Sequence, residues 1–432
     1  MIQRIRLRSI IVCKLVPFVG IFLMLKGTMD AQTPAAEQLT ILQVVQEART
    51  NNLSLQALKY ESAAAHGDIV TAGLRPNPSI TINGDLLPSD GITPKDKSYG
   101  VSFAVPFELG SKRQARVDAA VLLRDVTDLK YNDAIRQTIF SVKSAYIDLA
   151  SAYLKAGVSN TNLRLLDSLV SLNRIRVAGK DIAAVDLVRS EVEREKFSLD
   201  VLAAEQSYKT ASTSLSAILG RKTSSTLILP DTSAVVNVAA LINNSLPSVD
   251  SLFAIAERER TDILVLKRSE DATNAQLALA NSLSAIDLTV SLDVLRQQSV
   301  TFYGASFNFP LPIFDRHQGD IEKAEAYHSE SVAATTVATN QLRADLQAAM
   351  NDVLTKREAL RRLVTNILSK SEQVRQSVEY AYRRGGTSLI DYLDATRTEN
   401  ELRQFYVDAL GAFAKSLITL DYITGKEIFY VL

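Results

Sequence analysis

The chain has 432 residues, a formal net charge of zero and 47% apolar residues. Charged residues make up 22%, which excludes a disordered chain and a polytopic helical membrane protein. Neutrality leaves no electrostatic footprint for nucleic acid, and one Cys with three His excludes a disulfide scaffold and a Cys/His metal cluster.

Residues 1–31 read as a secretory signal peptide. Arg4, Arg6 and Arg8 form a basic start, Leu15 to Leu25 an apolar run, and Ala31 a cleavage position. The run is shorter than the ~20 apolar residues of a spanning helix, so an N-terminal anchor is the weaker alternative. Cys13 follows Val12 and precedes the apolar run, which argues against lipidation. No later stretch is long and apolar enough for a spanning helix, so the mature chain is either soluble and exported or crosses a membrane as a β-barrel.

Proline placement divides the remainder, residues 32–432. Pro76, Pro78, Pro88, Pro94 and Pro106 cluster, Pro230 and Pro247 flank a middle segment, and Pro310 and Pro312 form a third group. Residues 107–229 and 313–432 contain no Pro, which predicts two uninterrupted helical blocks. Each block follows a stretch with strand character. Tyr99-Gly100-Val101-Ser102-Phe103-Ala104-Val105-Pro106 is answered by Tyr303-Gly304-Ala305-Ser306-Phe307-Asn308-Phe309-Pro310. Five identities at one constant offset mark an internal duplication, with repeats over about 36–230 and 247–432 of a single domain.

The strand stretches, near 78–106 and 285–310, alternate. Ile286, Leu288, Val290, Leu292 and Val294 face one way, and Asp287, Thr289, Ser291 and Asp293 the other. This suits a half-buried soluble sheet as well as a barrel wall; the leader and the lack of any other membrane element favour the barrel. Four strands do not close a barrel with a lumen, so several chains must build it together.

The helical blocks carry a coiled-coil period. Leu346, Val353, Leu360, Ile367, Val374 and Ala381 are spaced by seven, with Leu342, Ala349 and Leu363 at the other seam position and Lys356 and Lys370 interrupting it. Ile135, Ile139, Val142, Tyr146, Leu149 and Tyr153 step by four and three, as do Tyr406, Leu410, Phe413, Leu417 and Leu420. One helix from Ile313 to Tyr382 would be ~105 Å long. Gly179, Gly385 and Gly386 mark two helix reversals.

The chain resembles the TolC family of outer-membrane efflux proteins over residues 36–432. The resemblance rests on Gly73-Leu74-Arg75-Pro76-Asn77-Pro78, on Pro106-Phe107-Glu108-Leu109-Gly110-Ser111-Lys112-Arg113, on Pro310-Leu311-Pro312-Ile313-Phe314-Asp315-Arg316-His317-Gln318-Gly319, and on Gly386-Thr387-Ser388-Leu389-Ile390-Asp391-Tyr392-Leu393-Asp394-Ala395. The third motif looks most like the cobalt–zinc–cadmium export subfamily, where Asn is more usual at the position of His317.

The resemblance implies a mainly α fold with a small β part. A homotrimer would form a twelve-stranded outer-membrane β-barrel, continued as a periplasmic α-barrel, with residues 221–250 and the C-terminal end in an equatorial band. It implies a passive exit duct in outer-membrane lipid, docked to a periplasmic adaptor and a proton-driven inner-membrane pump, carrying divalent metal cations. Export of organic toxicants or type I secretion is the nearest alternative, and a soluble periplasmic coiled-coil adaptor or scaffold the alternative of another class. No cofactor, resident metal or nucleic acid is implied.

By the same resemblance, Asp391 and Asp394 match the acidic pair of the periplasmic aperture, and Tyr382 a Tyr in the interhelix network that closes it. Asp186 is a looser match, one residue further from its Gly. Thr387 stands where the family has a gating Arg, for which Arg383 or Arg384 would substitute. Read without the family, Asp391 and Asp394 near a helix start would simply favour the macrodipole.

Among the remaining candidates, His66, His317 and His328 are the possible imidazole ligands, but His317 and His328 lie ~16 Å apart at helical rise and read as surface residues. Glu191, Glu193 and Glu195, with Arg189, Arg194 and Lys196, read as a solvated helix face. Gly110-Ser111-Lys112 lacks the spacing of a phosphate loop, and no nucleophile–base constellation argues for an enzyme.

Overall fold

The computed structural model describes residues 37–84, 98–221 and 227–429. The leader, its cleavage site and Cys13 lie outside the described residues.

Each half opens on a pair of helices. Thr40 and Gln43 form a capping box that starts α1 (Ile41–Asn51). Asn52 ends it and starts α2 (Leu53–Ala72), its side chain accepting the Ser54 and Leu55 N–H groups. In the second half Ser248 caps α6 (Val249–Glu259), and Arg260 joins it to α7 (Thr261–Leu283). Between the halves, β4 (Ile228–Pro230) pairs in parallel with β1 (Glu37–Leu39), followed by α5 (Ser233–Val236) and a 3-10 segment, Asn237–Asn243.

Each opening pair leads to two strands: β2 (Ser79–Gly84) and β3 (Ser98–Phe107), then β5 (Leu288–Gln297) and β6 (Val300–Asn308). They form one antiparallel sheet in the order β2-β3-β5-β6. One face carries Phe103, Val105, Val290, Leu292 and Val294; the other is mostly small and polar, with Ser102 opposite Asp293 and Asp293 opposite Gly304. The charged residues in the four strands of this sheet are Asp293 and Arg296, and alternation places them on opposite faces. Ser306 Oγ donates to Asp293 Oδ2 at 3.0 Å. No helix among the described residues is long and apolar enough to cross a membrane.

Beyond the strands come the long helices. α3 (Lys112–Ala178) runs 67 residues and turns into α4 (Ala184–Ile218). α8 (Gln318–Arg362), a π turn (Leu363–Ile367) and α9 (Leu368–Arg383) lead to α10 (Leu389–Thr424). At ~1.5 Å per residue α3 is ~100 Å long. Such helices are held by their seams rather than by intrinsic propensity.

The main core lies midway, where α1, α3, α8 and α10 meet the β1–β4 ladder. Tyr146, Leu346, Phe413 and Leu417 are almost fully buried there. Burying each such side chain contributes ~2–3 kcal/mol before ordering costs. The Tyr146 hydroxyl donates to the Leu39 carbonyl at 2.8 Å and accepts the Asp231 N–H at 2.8 Å, tying the linker to α3. Burial pushes that phenol up to about 12.

The second long helix departs from the sequence expectation. It starts at Gln318, not Ile313, and its heptad seam does not continue past the π turn. Leu346, Val353 and Leu360 are buried, but Ile367 is 36% and Val374 55% exposed. Arg375 and Tyr382, each one place later, are buried instead, at 9% and 4%. A π turn admits one extra residue, which rotates everything after it by one position. Heptad counting is blind to that insertion. α3 carries no such turn, but its seam also drifts: Tyr153 is 37% exposed, and Ser159, Leu166 and Asn173 are buried one place before the positions that sevens from Tyr146 would reach.

Candidate functional site

The tip distal to the sheet is built from two reversals, 179–183 and 384–388. The first helix ends with Gly179 as C-cap and Lys180 in the left-handed region, φ 62°. The second ends with Arg384, followed by Gly385 at φ 76°. A small core separate from the main one holds them together: Leu166, Leu169, Phe197, Tyr382, Leu389, Tyr392 and Leu393.

Tyr382 is the polar centre of that core. Its hydroxyl donates to Asn173 Oδ1 at 2.7 Å, and its carbonyl accepts from Arg176 Nη1 at 3.2 Å. The Arg176 guanidinium lies over the ring at 5.2 Å, and the ring stacks on Tyr392 at 5.5 Å. Burial raises the Tyr382 phenol above its ordinary range. The Asn173 and Arg176 ties join α3 of the first repeat to α9 of the second, and the stack joins α9 to α10. Asp186, in the first turn of α4, stands 3.9 Å from Arg189 and acts on Tyr382 through its charge.

Asp391 is the N3 residue of α10 and half of a capping box with Ser388. Its Oδ2 accepts from Ser388 Oγ at 2.7 Å and Thr387 Oγ1 at 2.8 Å, and these bonds hold its carboxyl below the usual carboxylate range. Asp391 therefore caps the helix and stays ionised. Asp394, one turn on, is exposed. Both border a groove of about 510 Å³, also lined by Asn366, Ile367, Lys370 and Val374. The groove thus runs from the acidic pair to the π turn.

Two expectations are corrected here. Arg383 and Arg384 do not bridge to the acidic pair: Arg383 binds Glu379 of its own helix at 2.8 Å, and Arg384 stacks on Tyr380 at 4.3 Å. The cation at Tyr382 is Arg176, from the other repeat. Nor is Glu193 part of a solvated face. It is 5% exposed and paired with Arg397 of α10, whose Nε donates at 2.6 Å, and that bond lowers its carboxyl pKa. Its neighbours Glu191 and Glu195 do lie outward, Glu191 meeting Arg174 at 2.9 Å and Glu195 meeting Arg194 at 2.6 Å.

Sequence reasoning also passed over Arg375 and Glu399. Glu399 is 2% exposed, with Arg375 Nε against its Oε2. Arg375 Nη1 donates to Glu379 at 2.6 Å, and Arg403 Nε to Glu399 at 2.9 Å. Its only signal was Arg375 one place beyond an apolar seam position. The histidines stand apart. His317 is the left-handed residue opening α8, φ 59°, and His328 Nδ1 lies 3.3 Å from Thr273. Among the described residues no three His, Cys, Asp or Glu side chains gather for a metal ion.

Each half sets out the same order along the chain: an opening helix pair, two strands of the shared sheet, a long helical shaft and a reversal at the tip. The sequence profile of the outer membrane efflux protein family matches residues 44–221 and 252–426, one segment per half. The chain belongs to this family. As an outer membrane efflux protein it is similar to the cobalt-zinc-cadmium resistance protein CzcC of Cupriavidus metallidurans, 27% identical over 401 residues and 91% of each chain. Solved structures share its fold. A CusC structure aligns with a TM-score of 0.76 at 17% identity, covering 89% of this chain and 92% of that one. The open-state MtrE outer membrane channel of Neisseria gonorrhoeae aligns with 0.72 at 17%, covering 90% and 89%. The efflux protein is therefore an outer membrane channel of the TolC type.

Proposed function

We propose that three copies of this chain form the passive exit duct of a tripartite efflux system, closed at its periplasmic end by the tip. The observation that carries this is the four-stranded sheet whose outer strands, β2 and β6, have no second partner among the described residues. Backbone edges inside a bilayer must be paired, and copies of the same sheet supply the pairing. Three copies make twelve strands, and the polar face bearing Ser102, Ser291 and Asp293 turns to the lumen.

The duct takes its energy from an inner-membrane pump reached through a periplasmic adaptor at the tip. Its cargo is divalent metal cations, supported by the likeness to a protein named for cobalt, zinc and cadmium resistance. Asp391 and Asp394, three copies of each, form a negative aperture that favours cations without binding them tightly. Residues 1–31 are removed on export.

The test is deletion of the gene, followed by growth on graded zinc, cobalt and cadmium and, in parallel, on bile salts and dyes. Sensitivity to metals, rescued by the full chain, is expected. Sensitivity to organic compounds alone would overturn the cargo.

A further inference from the structure

Helix α9 sits one residue away from the register its own apolar pattern favours. Ile367, Val374 and Ala381 continue the seam of Leu346, Val353 and Leu360 in sequence, yet Val374 faces outward and Arg375 is buried in its stead. A buried guanidinium in place of an available valine is costly unless its partners hold it. Here Glu379 accepts from Nη1 at 2.6 Å and the buried Glu399 carboxylate lies against the guanidinium as an ion pair, although Nε makes no hydrogen bond of its own.

We infer that Arg375 is a positioning residue that holds α9 in this offset register, that the π turn at Leu363–Ile367 stores the one residue of slack, and that slipping α9 back by that residue unties the tip. This rests on the tip being the aperture of the duct.

The slip is a small motion with a large local effect. Converting the π turn to α turns α9 by ~100° and advances it by ~1.5 Å. Val374 and Ala381 then face inward, completing the apolar seam. Arg375 and Tyr382 rotate out together. The Tyr382 bonds to Asn173 and Arg176 and its stack on Tyr392 are lost at one stroke. Glu399 is not stranded, because Arg403 already donates to it. The groove between the π turn and Asp391 gives room for the movement. Even in the observed register the tie is imperfect, since the buried Asn173 Nδ2 has no hydrogen-bond partner. α3, with no π turn, stays fixed, so one repeat moves against the other.

The test uses the full-length assembly in planar bilayers. Arg375→Gln, which keeps a polar side chain but cannot pair with both Glu379 and Glu399, is expected to raise open probability about tenfold. Deletion of Thr365 removes the slack while keeping Arg375 inward, and is expected to lower open probability below wild type. In the deletion background Arg375→Gln is expected to change opening by less than about twofold, because no slack is left to release. A merely stabilising Arg375 would act equally in both backgrounds, and that result overturns the inference, as does a deletion that opens the channel. Deletion of Asn366 is the second form. If neither deletion assembles, a straight helix with Arg375 inside is not accommodated and the inference falls. A wild-type assembly without conductance would instead refute the duct itself.

Discussion

Asp421 is a carboxyl that folding makes harder to ionise. It lies near the end of α10, where the chain turns back and its Oδ1 accepts the Ile428 N–H at 2.9 Å. Burial pushes it up to about 7, outweighing that bond and the attraction of Lys143. The sign follows. A raised carboxyl pKa means the folded chain holds its proton better than the unfolded one, so stability is full in acid and is lost as pH rises towards about 7. A displacement from 3.8 to about 7 corresponds to ~4 kcal/mol. Part of the side chain still meets solvent, so ~2 kcal/mol is the working figure. Asp421→Asn keeps an acceptor for Ile428 and removes the titration. Thermal unfolding of the detergent-solubilised assembly, followed by circular dichroism at pH 5 and pH 8, should show wild type losing ~2 °C that the variant keeps. An equal pH 5 to pH 8 loss in the variant would refute the reasoning.

Tyr382→Phe leaves Asn173 Oδ1 unpaired in a dry site and should cost ~1–3 kcal/mol at the tip, read as faster hydrogen exchange in residues 170–178 with unchanged exchange at Tyr146. Ser388→Ala removes one half of the cap on α10 and should cost ~1 kcal/mol, read as fraying of its first turn. Asp394→Asn should leave that turn intact and lower only cation-over-anion permeability, measured as reversal potential in a salt gradient. Gly425→Ala should lower the yield of folded assembly on gels, because its φ is 76° and a Cβ there would come within 2.7 Å of Arg260 Cα.

Period told the fold class. The seam of Leu346, Val353 and Leu360 and the alternation of Leu288 to Val294 state long helices and a few strands, since both follow from which side chains must leave water. The tip was less legible. Tyr382 came from likeness to a family motif, but its partner Asn173 sits in the other repeat, and no local pattern links two residues so far apart. Asp391 was readable both as aperture and as cap; the hydrogen bonds show the cap. Glu193 looked solvated because two outward glutamates flank it. The seam past Leu363 misled outright, because Ile367 and Val374 keep a perfect spacing that the backbone abandons.

The edges of β2 and β6, unpaired among the described residues, bear on the life of the chain before it arrives in a membrane. A lone copy carries a ready template for strand addition, and no interior of its own to hide it in. Insertion and association are thus one event: a single chain entering lipid would leave a row of unsatisfied amides, each costing several kcal/mol. Folding yield should then depend steeply on how many copies reach the same patch at once, and unassembled chains are natural clients for holding chaperones and proteases on the way.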